Sequence, residues 1–199
     1  MSTEKLDTEV RQEQIALAAL DLMLSQGVCG LSVAGVAQRV GLVPSAIYRH
    51  FRNKGDLLEA VLDLIQTKLL GHVTAACEET PDSLDRLESL LKRQLRVAQK
   101  RQALPRLIFS DDFSIHHPER KIKVQEVITM YLDSVAEIIL QGQQTGQIRR
   151  DIDPKTVSIM FLGLIQQAGI LWHLSNGRFD VTQYGEDAWR IFRECIRAK

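Results

Sequence analysis

Cysteine is scarce in this chain. The three present, Cys29, Cys77 and Cys195, are far apart and odd in number, so they make neither a disulfide framework nor a C-x-x-C ligand pair. A reducing cytoplasm is the simplest setting for such usage. Net charge is missing too: 25 Lys and Arg balance 25 Asp and Glu. The molecule as a whole is therefore no polycation, and any affinity for nucleic acid must come from a local patch. No Gly-x-Ser-x-Gly elbow, phosphate-binding loop or dinucleotide fingerprint occurs, and no nucleophile-and-base set or carboxylate pair stands out. A helical-bundle enzyme is thus the least favoured reading, and no cofactor is implied. Strand-like alternation is almost absent. The opening "MSTEKLDTEV" is polar and mixed in charge, without the apolar core of a signal peptide.

What is present is helical periodicity over 199 residues, with a 45% apolar and 25% charged composition that suits a globular chain. Ile15, Ala18, Ala19, Leu22 and Met23 stripe a first helix from about Thr8 to Gln26, stopped by Gly27. Ser32 caps a short second helix, Val33 to Val40, ended by Gly41. Pro44 suits the first turn of a short third. Asn53 and Asp56 read as cap and third-position acid of a fourth, which carries Leu57, Leu58, Val61, Leu62, Ile65 and Leu69 and ends at "TPDS". Leu84, Leu87, Leu91, Leu95 and Ala98 mark a fifth helix, and Pro105 to Asp111 a short sixth. Val124, Val127, Ile128, Tyr131, Leu132, Val135 and Ile139 mark a long seventh. Asp153 and Pro154 open an eighth, and Ala188, Trp189, Phe192 and Ile196 stripe a ninth.

The eighth contains "VSIMFLGLIQQAGILWHL", residues 157–174, close to a minimal bilayer span of roughly 18–20 residues. Gln166, Gln167 and His173 interrupt it, and neither a basic flank nor an aromatic belt surrounds it. Burial between protein surfaces is the expectation, with no membrane partner.

Two short helices joined by "GLV" have helix-turn-helix spacing, in which the second helix enters the major groove. Between Arg39 and Lys54 the chain carries four cations and no acid. Ser45, Ala46 and Arg49 share a face of the third helix, the small pair permitting close approach to base edges. Arg49 offers a guanidinium fork to guanine or phosphate. Tyr48, His50 and Lys54 suit the flanking phosphates, Lys54 from the first turn of the fourth helix, where an anion is favoured. A basic run by itself is more often a merely solvated face.

The stretch "LSVAGVAQRVGLVPSAIYRHFRNKGDLLEAV", residues 31–61, resembles the DNA-binding head of the TetR family of bacterial transcriptional regulators. Ser32, Ala37, Gly41, Leu42, Tyr48, Phe51 and Lys54, followed by Leu57 and Leu58, carry the match. The resemblance implies phosphate contacts from Tyr48, His50 and Lys54, and base reading by Pro44, Ser45, Ala46 and Arg49. Ser32 joins this DNA-facing set, while Ile47 and Phe51 pin the helix from within. Two departures stand out: Val43 replaces the usual Ser or Thr cap, and Gly35 sits inside the second helix, at about 1 kcal/mol against Ala.

The fold expected is all-α, with a three-helix helix-turn-helix head over residues 1–53 and a bundle for ligand binding and dimerisation over 54–199, in about nine helices. The resemblance implies a homodimer through the last two helices, with Leu164, Gln167, Leu171, Trp189, Phe192 and Ile196 at the interface. It also implies a small apolar effector inside the bundle, for which Phe109, Phe113, Met130, Tyr131, Met160, Phe161, Gln166, Trp172 and His173 are the candidate lining. Any one of these is more often ordinary core. The function implied is a ligand-responsive regulator, in the main a repressor at a palindromic operator; the alternative is an activator or nucleoid-associated architectural protein of the same fold. Asp111, Asp112, His116 and His117 lack a recognised metal spacing, and no metal is expected. Cys29, flanked by Gly27 and Gly30, reads as a small hydrophobe before a redox thiol.

Overall fold

The structure is a computed structural model that describes residues 8–100 and 118–199. Among the described residues there are eight helices: α1 (Thr8–Gln26), α2 (Val33–Arg39), α3 (Pro44–Ile47), α4 (Lys54–Glu79), α5 (Ser83–Lys100), α6 (Pro118–Gln144), α7 (Pro154–Leu174) and α8 (Val181–Ile196). One isolated bridge, Ile148 to Arg197, is the β pairing among them. The all-α expectation holds. The short helix expected at Pro105 to Asp111 lies outside the described residues.

Helix boundaries follow local chemistry. Ser32 accepts a hydrogen bond from the Gly35 N–H at 3.1 Å and starts α2. Gly41, at φ +68°, closes the turn after it, where the Leu42 N–H donates to the Ala37 carbonyl at 2.8 Å; the left-handed conformation there favours glycine. Val43 gives α3 no side-chain cap, and Pro44 occupies the first turn. Asn53 accepts from the Asp56 N–H at 2.9 Å, and the Asp56 carboxylate accepts in return from the Arg52 N–H at 3.1 Å, a reciprocal cap. Asp153 and Asp180 cap α7 and α8 through the N–H groups of Thr156 and Gln183.

The described chain divides into two compact units, one of residues 8–67 with 118–124, the other of 68–100 with 125–199. In this division the first half of α4 and the start of α6 group with residues 8–53. In the first unit Ile15, Ala19, Leu22 and Met23 of α1 pack with Val36 and Ala37 of α2, Ile47, Phe51, and Leu57, Leu58 and Val61 of α4, all buried. Ala16 and Leu20 are buried too, and Ala18 only partly. Gly35 has a steric reason: a Cβ there would come within 3.0 Å of Leu22 Cδ2 and of Ser32 Oγ. Glycine lets α2 approach α1 at the cost in helix propensity noted above. Lys123 bridges Glu59 at 2.9 Å and Asp63 at 2.7 Å.

The second unit is a bundle whose core runs through Leu87, Leu90, Leu91, Tyr131, Val135, Ile139, Phe161, Ala168, Trp189 and Phe192. α7 buries Val157, Ser158, Phe161, Ile165 and Ala168 on one side only. By length and composition α7 could cross a membrane, yet this inner face packs with α5 and α8 in the unit's core. Its other side is open: Ile159 is 59% exposed, Met160 57% and Leu174 71%. Within the chain, then, α7 is buried on one face, not enclosed as its sequence suggested.

Candidate nucleic-acid interface

α3 is a single turn pinned from inside. Ile47 and Phe51 are buried, and the Phe51 N–H donates to the Ile47 carbonyl at 3.0 Å. That anchoring fixes which residues face water. Pro44, Ser45, Tyr48, Arg49 and Lys54 are exposed, Tyr48 by 54%, while Ala46 and His50 are half-buried. Ser32 is exposed as well, its oxygen engaged in capping α2. Arg52, which sequence reasoning passed over, is exposed on the same segment. Its signal was available, since it is one of the four cations between Arg39 and Lys54. Arg39 is turned to α1, its Nη2 donating to Ser25 Oγ at 3.2 Å. The face therefore combines small residues, a phenol, an imidazole and cations, with the first-turn N–H groups of α4 nearby. Such a surface can accept phosphates by charge and donor geometry, and admit base edges where Ser45 and Ala46 leave room.

The bundle distributes its candidate residues differently. Tyr131 and Phe161 are core residues, buried at 2% and 0%. Gln166, Trp172 and His173 are half-buried on α7. Met130 and Met160 are exposed, so as placed they do not line an interior of this chain. Phe109 and Phe113 lie outside the described residues, as do Asp111, Asp112, His116 and His117. Cys29 is exposed, not packed as a small hydrophobe.

The expected dimer residues separate into two groups. Leu164 and Leu171 are half-buried and Gln167 is exposed on α7. Trp189, Phe192 and Ile196 are turned inward: Phe192 lies 5.7 Å from Phe161 and 6.2 Å from Trp189 between ring centroids. As placed they fill the protomer core. An apolar stripe at 3.5-residue spacing signals one buried face but not whose core it joins. The outward stripe is Met160, Gly163, Gln167, Ile170 and Leu174, with Ile191 exposed on α8.

Among the perturbed ionisable groups of the bundle, two carry a buried polar atom, Tyr131 and His72. Burial pushes the Tyr131 hydroxyl up from its ordinary value. His72 is held below its ordinary value, first by burial, then by the charges of Arg93 and Lys68, against the raising effect of a hydrogen bond its ring donates to the Gln94 side chain.

A helix-turn-helix head carrying an exposed cationic turn, followed by a helical bundle, defines a DNA-binding transcription regulator. Residues 15–61 match the family model of bacterial regulatory proteins, tetR family, and residues 65–194 match that of the YsiA-like protein C-terminal region. The chain belongs to the TetR family. Nucleoid occlusion factor SlmA of Vibrio vulnificus is 20% identical over 188 residues, covering 94% of this chain and 96% of that protein. Among solved structures, transcriptional regulator FadR from Bacillus subtilis in complex with stearoyl-CoA is similar, with TM-score 0.75 and 20% identity over 90% of this chain and 96% of that one. A TetR-family regulator from Rhodococcus sp. gives TM-score 0.77 and 21% identity, covering 94% and 98%.

Proposed function

We propose that this protein is a cytoplasmic repressor that binds a palindromic operator as a homodimer and releases it when a small apolar effector occupies the bundle. The observation that carries the reading is the exposed Ser45–Tyr48–Arg49–Lys54 face, held outward by buried Ile47 and Phe51. Arg49, Ser45, Ala46 and Pro44 read base edges; Tyr48, His50, Lys54 and the Ser32 hydroxyl hold phosphates. Two such heads at about 34 Å, one DNA turn, meet the half-sites of a palindrome.

The homodimer is supported by the α7 stripe. Met160, Gln167 and Leu174 repeat every seven residues, with Gly163 and Ile170 between them, and all five are exposed. This is the a and d pattern of a helix seam. Leu164 and Leu171 flank it. A small residue at Gly163 permits close approach of two helices. Release of DNA follows from a ligand that prefers the conformer whose heads miss the half-site spacing, by about 5 kcal/mol for a nearly complete switch. The stearoyl-CoA bound to the similar B. subtilis regulator makes long-chain acyl compounds the first effectors to test. Selection of bound sites from random duplexes tests the reading: a palindrome is expected, and a featureless or single half-site would overturn it.

A second reading, a nucleoid-associated architectural protein, is supported by the similarity to nucleoid occlusion factor SlmA. Operator release by an apolar compound separates the two, since only the first needs it.

A further inference from the structure

A buried charge is costly unless something pairs with it. Arg120, in the first turn of α6, is 7% exposed. Its Nε is sealed from solvent with no hydrogen-bond partner, the one such side-chain atom in the first unit among the described residues. No ion pair or hydrogen bond holds its guanidinium among those residues either. The contrast lies one turn along the same helix, where Lys123 bridges Glu59 and Asp63 of α4.

The guanidinium lies against the start of α4, within the same compact unit. Arg120 Nη2 is 3.5 Å from where a Cβ on Gly55 would sit. Lys54 and Gly55 open α4, and N–H groups at that place have no carbonyl within their own helix. The Asn53 cap takes the Asp56 N–H, further on. A Cβ on Gly55 would also stand 2.8 Å from Asn53 Oδ1, so glycine leaves the backbone of this turn uncovered. Arg120 thus stands at the positive end of α4 and of its own helix, where a cation is disfavoured and an anion is favoured.

The acids nearby do not answer it. The Asp56 carboxylate accepts from the Arg52 N–H at 3.1 Å, and Glu59 is held by Lys123. Glu119, beside Arg120 in the chain, is exposed. A guanidinium fork joined by backbone N–H groups suits a tetrahedral oxyanion. Lys54, exposed on the same turn, adds a second charge for it.

Resting on the reading that the head grips duplex DNA, we propose that Arg120 and the Lys54 and Gly55 N–H groups form an oxyanion site that takes a phosphate of the DNA backbone. This brings a residue of α6 into a DNA-facing set that sequence reasoning confined to residues 32–54. The DNA supplies the counter-charge that the free chain lacks.

The test titrates the full chain with a mixed-sequence duplex over a salt series in phosphate-free buffer, as wild type, Arg120→Met and Arg120→Lys. Arg120→Met should bind about tenfold more weakly at low salt, its slope of log affinity on log salt smaller by about 0.9 per bound head. Arg120→Lys keeps the charge and should hold the wild-type slope. Without DNA, the Tm of Arg120→Met should equal or exceed that of the wild type, because an unpaired buried charge has gone. A Tm more than about 3 °C lower would overturn the proposal by making Arg120 structural. Equal slopes for wild type and Arg120→Met would remove the DNA backbone as the occupant. Inorganic phosphate at constant ionic strength then decides the site itself: a Tm rise in the wild type that Arg120→Met lacks assigns it to free phosphate, and no such rise overturns it. A wild type that binds no duplex at low salt would overturn the DNA reading of the head, while the phosphate titration still tests this site.

Discussion

The head and the bundle use their side chains in opposite directions. In the head the residues proposed to meet DNA are outside, and the core behind them, Ile47 and Phe51 above all, holds one helical turn in place. In the bundle the polar groups of interest are inside, and the outer face of α7 is apolar. The difference has a chemical origin. A phosphate backbone demands charge and donors at set spacing, which exposes particular residue types on a short element. An apolar ligand and a helix seam demand volume and shape, which many residues supply.

The largest effect that would test this contrast is in the bundle core. Phe161→Ala should destabilise the protein by about 3–5 kcal/mol in denaturant titration, since Phe161 is fully buried against Phe192. A loss below about 1 kcal/mol would mean that the interior around it is not close-packed. Next comes the outer face: Ile170→Glu should dissociate the proposed dimer, weakening self-association by about 2–4 kcal/mol with helix content unchanged. Sedimentation that still shows a dimer would move the seam away from α7. In the head, Arg49→Ala should cost about 1–3 kcal/mol of operator binding by anisotropy titration. Its Tm should match the wild type, since the side chain is exposed; a Tm drop would make Arg49 structural.

The smallest effect concerns Lys123. Burial by itself would lower its ammonium, but hydrogen bonds and charge from Asp63 and Glu59 outweigh this and raise it above its ordinary value. The pair's stabilisation is therefore fully present below the unfolded lysine pKa of about 10.4 and fades as pH rises through the folded one. Asp63 is well exposed, so Lys123→Ala should cost at most about 1 kcal/mol at neutral pH, less in high salt. Thermal melts at pH 7 and above 11 check the sign: the gap between wild type and variant should narrow at the higher pH.

The head was largely legible in the sequence. Ser32, Gly41, Pro44 and Asn53 each have a local role that the chain itself enforces, and α2, α3 and α4 begin where those signals put them. In the bundle, helix positions were legible but their facing was not. Trp189, Phe192 and Ile196 form a clean stripe that reads equally as seam or core, and the structure makes it core. Met160 read as lining and points outward. Gln94 could have been noticed as a polar residue on an apolar face, whereas its hydrogen bond with His72 joins residues 22 apart, a separation no local rule spans.

Sequence alone determined the helices, their caps, the cationic turn and the family, because each depends on neighbours within a few positions or on a contiguous motif. Tertiary structure alone decided which apolar stripe is core, how closely a side chain at Gly35 would crowd Leu22 and Ser32, and which buried polar atoms stand unpaired. Those outcomes depend on how one helix face meets another across the chain, and helical periodicity reports that a face is apolar without saying what it touches.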